Sequence, residues 1–85
     1  MPQVNEKPLS AYKEAEIVKI KQINVEGTLR RRLLDLGFVK GAVVEVLQKS
    51  PLKDPTAYYV SGTTIALRKE ESDKIIVERF KEDEE

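Results

Sequence analysis

Arg30, Arg31, Leu34 and Asp35 are the residues of this sequence best suited to chemistry, and the chemistry they suit is recognition of a partner. They fall in a leucine-patterned run, TLRRRLLDLGF, where Leu29, Leu33 and Leu36 recur at i, i+4 and i+7. At about 100° per residue that spacing puts the three leucines on one helical stripe and turns the other four residues elsewhere. An apolar Leu34 among arginines, off the stripe, is what a partner-facing patch shows, and arginine is enriched at interfaces. Two plainer readings stand beside this one. Leu34 is covered by a turn near the N-terminus built on Leu9 and Tyr12, or the arginines are a solvated charge run. Arginines in the first turns also oppose the helix dipole, at about a few tenths of a kcal/mol each when exposed. Pairing of Arg31 or Arg32 with Asp35, one helical turn on, offsets part of that cost.

Bond-making chemistry has little to work with. The chain of 85 residues has no cysteine and no histidine, which excludes disulfides, thiolate chemistry, the usual zinc sites and the commonest general base near neutral pH. Only carboxylates remain as hard ligands, and they are scattered as solvated charges. There is no GxxxxGK[ST] loop and no pairing of nucleophile and base. We therefore assign no catalytic residue, no metal ligand and no cofactor.

The elements that must position the four residues are local. Thr28 is placed to cap a helix, its hydroxyl accepting from one of the first free N–H groups. The helix is expected to end at Leu36, with Gly37 in a left-handed C′ position and Phe38 folding back on the leucines. Phe38 to Gly41 reads as a type I turn with glycine last. Ala42 to Leu47 then alternates as a strand.

Elsewhere Glu16 to Ile23 reads as a first strand, with Val18 and Ile20 on one face and Lys19 and Lys21 on the other. Pro51 and Pro55 bar the segment after Leu47 from a central strand and predict a projecting loop. Thr56 to Ser61 and Thr64 to Arg68 form a hairpin turning at Gly62, with Tyr58 in the core and Tyr59 in edge packing. Lys69 to Lys74 supplies one helical turn, and Ile75 to Glu78 a last strand anchored by Phe80. Gly37, Gly41 and Gly62 are read as backbone-conformation residues.

Five strands and one short helix leave a flat sheet with wide edges, so the expected fold is mainly β, a small, partly open SH3-like barrel. Residues 1–7 are expected to be flexible, 8–80 to form the domain, and 81–85 to be a solvated tail. Lysine plus arginine number 15 and aspartate plus glutamate 15. That net charge of zero provides no global field toward nucleic acid or an anionic membrane. The first ten residues have no apolar stretch, and no run is long enough to span a bilayer. The expected setting is the cytoplasm, without insertion into the membrane.

The motifs together carry a resemblance. Pro8-Leu9-Ser10, Ile17-Val18-Lys19-Ile20, Leu29 through Phe38, and Gly41 with Val44-Glu45-Val46-Leu47 resemble the FeoA family in order and spacing. So do Pro51-Leu52-Lys53-Asp54-Pro55, Val60-Ser61-Gly62 and Ile65-Ala66-Leu67-Arg68-Lys69-Glu70-Glu71. Two places depart from the family's pattern: Lys13-Glu14-Ala15 stands where a Pro-Gly turn is usual, and Lys53 where glycine is common.

The resemblance implies an SH3-like barrel serving as the small cytoplasmic component of bacterial ferrous-iron uptake. Its partner would be the cytoplasmic part of FeoB, the membrane transporter with a GTP-binding domain. Related domains also occur at the C-terminus of DtxR-type metal-responsive repressors. Although the family is associated with transition metals, no ligand set is evident here, so the expected role is to regulate or scaffold without ligating iron. The expected function is a non-catalytic accessory protein that contacts its transporter through Arg30, Arg31, Leu34 and Asp35. The alternatives are a nucleic-acid-associated domain of the repressor type, and a module that self-associates through an exposed edge strand.

Overall fold

In the computed structural model the described residues are 6–49 and 54–80. They form one antiparallel sheet of six strands in the order β1-β6-β2-β3-β4-β5, with β1 Lys7–Pro8, β2 Ile17–Ile23, β3 Val43–Lys49, β4 Thr56–Val60, β5 Thr63–Leu67 and β6 Ile75–Arg79. The fold is mainly β, as expected, and the sheet is not closed into a barrel: β1 and β5 are its two edges. The expected count of five strands is corrected to six by the first. Lys7 and Pro8 pair with Val77 and Ile76 of β6, so Lys7 belongs to the sheet and not to a flexible leader. The rest of the expected leader, apart from Glu6, and the tail 81–85 lie outside the described residues, as does Pro51.

Alternation decides which side of each strand is inside. Val18 and Ile20 of β2, Val44 and Val46 of β3, Tyr58 and Val60 of β4, and Ile75 and Val77 of β6 are all at or below 2% exposure. Burying one such side chain is worth about 1.5–3 kcal/mol, so the inner face of the sheet dominates the fold's stability. Outward-facing Ile17, Val43 and Tyr59 remain exposed, Tyr59 at 45%. Burial pushes the Tyr58 phenol above its usual range, partly countered by its hydrogen bonds with Ser72 and Thr56. The β4–β5 hairpin turns through Ser61 and Gly62, both at positive φ (53° and 78°), the two-residue geometry that matches strand twist.

Between β2 and β3 lies helix α1, Gly27–Asp35. It begins one residue before Thr28, with Glu26 as N-cap and no side-chain cap hydrogen bond, so Thr28 is an exposed residue of the first turn and not the cap. Gly27, at φ +73°, makes the entry turn with backbone alone. The other end matches the expectation closely. The Gly37 N–H donates to the Leu34 carbonyl (3.1 Å) and the Phe38 N–H to the Leu33 carbonyl (2.9 Å). Those are the two bonds of a Schellman cap, with Leu36 as C-cap and Gly37 at φ +105°. Phe38 and Leu33, the residues the cap brings together, are 0% and 1% exposed.

The turn that follows is displaced by one residue from its expected position. Ala42 N–H donates to the Val39 carbonyl at 2.9 Å, which makes Gly41 the third residue of the turn, at φ +92°. A positive φ at that position is what a type II turn requires, so glycine is there for conformation, not as the trailing residue of a type I turn.

Two short pieces close the ends. A 3₁₀ turn, Leu9–Ala11, buries Leu9 and the following Tyr12 and packs on β6 and on α2, a single helical turn at Lys69–Ser72. The Ser10 hydroxyl donates to the Asp73 carboxylate just past α2, tying residues 63 apart in sequence. Asp54 precedes Pro55 through a cis peptide, and its Oδ1 accepts from the Lys69 N–H at 2.8 Å, anchoring the near end of the proline segment to α2.

Candidate interaction surface

The Schellman cap and the β3 register fix which way α1 faces, and with it the four residues singled out by sequence. Arg30, Arg31, Leu34 and Asp35, together with Gly27, line one shallow concavity of about 390 Å³ on the outer side of the helix. Leu34 is 37% exposed. The 3₁₀ turn that was the candidate to cover it packs mainly on β6 and α2 and leaves Leu34 partly exposed.

The arginines are not equivalent. The Arg30 Nη1 donates to the carbonyls of Ile23 (3.0 Å) and Val25 (3.5 Å), so its guanidinium binds the helix to the end of β2. Arg31 and Arg32 make no ion pair with Asp35, although helical spacing allows one. Exposed guanidinium and carboxylate groups gain little by pairing in water and lose side-chain freedom, and here that balance leaves them apart. Ion pairs do form at Lys21–Glu78 (3.7 Å), Lys69–Asp73 (3.2 Å) and Arg79–Glu16 (2.7 Å), all away from this face.

The leucine stripe behaves unlike a uniform inner face. Leu33 is buried, while Leu29 and Leu36 are half-buried beside the edge strand β5, which has no strand on its outer side among the described residues. The sequence pattern gave the stripe but not this difference, which depends on β5 being an edge. Pro55, expected only as a loop residue, also stands beside Leu29 and Leu36. Gly62 lies exposed in the hairpin turn.

Among the described residues no helix is long and apolar enough to cross a membrane, and no three acidic side chains are grouped as a metal site. Chemically, the outer face of α1 offers one apolar side chain, two arginine guanidiniums with free donors and one carboxylate, an arrangement suited to a protein surface.

Residues 7–79 match the family model described as FeoA domain. Over 70 residues the chain is 36% identical to a Fe(2+) transport protein A/Fe(2+) transporter FeoB fusion protein of Porphyromonas gingivalis, covering 82% of this chain and 8% of that one. Thus the chain spans about one twelfth of the curated relative it matches. The solution structure of FeoA protein from Chlorobium tepidum superimposes with a TM-score of 0.83 at 35% identity, covering 91% of this chain and 73% of that one. FeoA of Stenotrophomonas maltophilia, complexed with zinc and described as an SH3 domain protein, superimposes at 0.72 with 30% identity over 82% and 87% of the two chains. The IdeR of T. acidophilum, at 17% identity and a TM-score of 0.78 over 94% of this chain and 37% of its own, shares the fold.

Proposed function

The chain belongs to the FeoA family, and on that premise we propose that it is a non-catalytic accessory protein of ferrous-iron uptake that binds the cytoplasmic part of a FeoB-type transporter. The observation that carries this reading is the Porphyromonas gingivalis relative, in which a FeoA portion and a FeoB portion share one polypeptide. Fusion holds two domains at high effective concentration, which benefits domains that act on each other.

Its contact is the outer face of α1. Leu34 is the apolar anchor, Arg31 supplies donors with no intramolecular partner among the described residues, and Asp35 closes the end of the patch. Arg30 acts mainly by holding the helix against the Ile23 and Val25 carbonyls. Calorimetry against the soluble cytoplasmic domain of the transporter tests the reading. Saturable binding supports it, and no heat at high concentrations of both proteins would remove it.

A second reading is a domain of the repressor type that works beside nucleic acid, since the fold is shared with a manganese-dependent transcriptional repressor. Formal net charge of zero weighs against it, since affinity for a phosphate backbone comes largely from lysine and arginine displacing counterions. Binding to duplex DNA that falls steeply with added salt would favour this second reading over the first.

A further inference from the structure

From the groove between α1 and the free edge of β5 we infer a second docking site, one that takes an extended, acidic segment of a partner protein as a seventh strand of the sheet. The inference does not rest on the outer face of α1. β5 pairs with β4 and has no strand on its other side among the described residues. In the hairpin register the Val60–Thr63 and Tyr58–Ile65 pairs are the hydrogen-bonded ones. The N–H and C=O groups of Thr64 and Ala66 therefore point away from β4 toward the open side.

Beside that edge is a concavity of about 250 Å³. Its apolar surface comes from Leu29 and Leu36 of the helix and from Ile65 and Leu67 of the strand. That volume falls below the roughly 300–1,000 Å³ of small-molecule pockets, but it accepts the side chains of an added strand. Unpaired backbone groups on an edge are matched by another extended backbone, and alternate side chains of that strand fall into the groove.

Charge selects the occupant. Arg32 and Arg68 stand on the groove's two sides, one on the helix and one at the end of β5. Glu71 also lines it, but its Oε1 already accepts the Arg68 N–H at 2.9 Å. Among the described residues neither guanidinium has an ion-pair partner, so both are donors for carboxylates and the segment that fits alternates apolar residues with Asp or Glu. Pairing with a second copy of this chain through β5 brings Thr64 and Ala66 but no carboxylate, and leaves both arginines unmatched.

A phage-displayed library of random dodecapeptides, selected on the full immobilised chain, tests this. The expected result is enrichment of peptides that alternate apolar and acidic residues and that shift the amide resonances of Thr64 and Ala66. Ala66→Pro, which removes an outward N–H at an edge where proline is tolerated, should weaken their binding at least tenfold, while Leu34→Glu leaves it unchanged. Should the proline variant not fold, Arg32→Glu, on the exposed side of a helix, is expected to give a comparable loss. Failure to enrich such peptides, shifts confined to other surfaces, undiminished binding by Arg32→Glu, or self-association through β5 in light scattering would each overturn the inference.

Discussion

Gly37 and Ser61 approach so closely that a β-carbon on Gly37 would stand 2.5 Å from the Ser61 Oγ and 2.8 Å from its Cβ. One residue thus performs two tasks: at φ +105° it closes α1, and by lacking a side chain it lets the end of the helix rest on the β4–β5 turn. The orientation of the helix's outer face follows from that contact.

Gly37→Ala should therefore be costly, about 1–3 kcal/mol for the forced backbone with the clash against Ser61 in addition. Gly41 offers an internal control. It also has positive φ (+92°), but a β-carbon there meets nothing within 4 Å, so Gly41→Ala should cost only about 1–2 kcal/mol. Urea unfolding of both variants checks the order. Equal losses would mean that the Ser61 contact contributes nothing.

Core and surface residues within the helical unit should separate cleanly. Phe38 is fully buried against Leu33, so Phe38→Ala should cost about 3–5 kcal/mol, much of the stability of a domain this size. Leu34→Ala should change stability by no more than about 0.5 kcal/mol. Thermal unfolding followed by circular dichroism measures both, and a large loss at Leu34 would place that side chain in the packing.

Where sequence succeeded, the cause was local. The leucine period, Gly37 and Phe38 specify the helix and its end within one turn, and Ser61-Gly62 between two alternating runs specifies the hairpin. Where it failed, the deciding contact was distant. Lys7-Pro8 is too short to show a period and is a strand only because β6 pairs with it. Thr28 fits the cap pattern, but the backbone of Gly27 takes the turn one residue earlier. The unequal burial of Leu29, Leu33 and Leu36 follows from the sheet ending at β5, and the groove there was not legible in any periodicity. For Arg30, Arg31, Leu34 and Asp35, spacing set them off the leucine stripe, while the role of Arg30 depended on carbonyls of Ile23 and Val25 that only the fold places within reach.

Acid should act on the contact between the 3₁₀ turn and α2. The Asp73 carboxyl is held below its ordinary range, first by the Ser10 hydroxyl and then by Lys69. A depressed folded-state pKa contributes stability that is present above the unfolded value of about 3.9 and is lost as pH falls through the folded value. Carbon-detected NMR titration should show Asp73 titrating below the usual aspartate range and moving up toward that range in Ser10→Ala. The stability difference between parent and variant should shrink as pH falls below about 4. An unmoved Asp73 titration in the variant would show that Ser10 does not hold it.

The salt response of the transporter complex should be modest. With Arg31 and Asp35 at an exposed rim around Leu34, added salt screens their share of the contact but not the apolar one. Calorimetry at two ionic strengths should show a loss of less than about tenfold, since rim charges act mainly on association rate. A loss of several orders of magnitude would identify charge, not Leu34, as the basis of binding.

The most direct test is the affinity of Leu34→Glu and Arg31→Glu for the soluble cytoplasmic domain of a FeoB-type transporter, each variant first shown to unfold at the parent's midpoint. If Leu34 is the anchor, the first should lose about 2 kcal/mol or more of binding, roughly thirtyfold in Kd, and the second a smaller but measurable amount. Parent-like binding by both variants would contradict the assignment of the helix face as the contact.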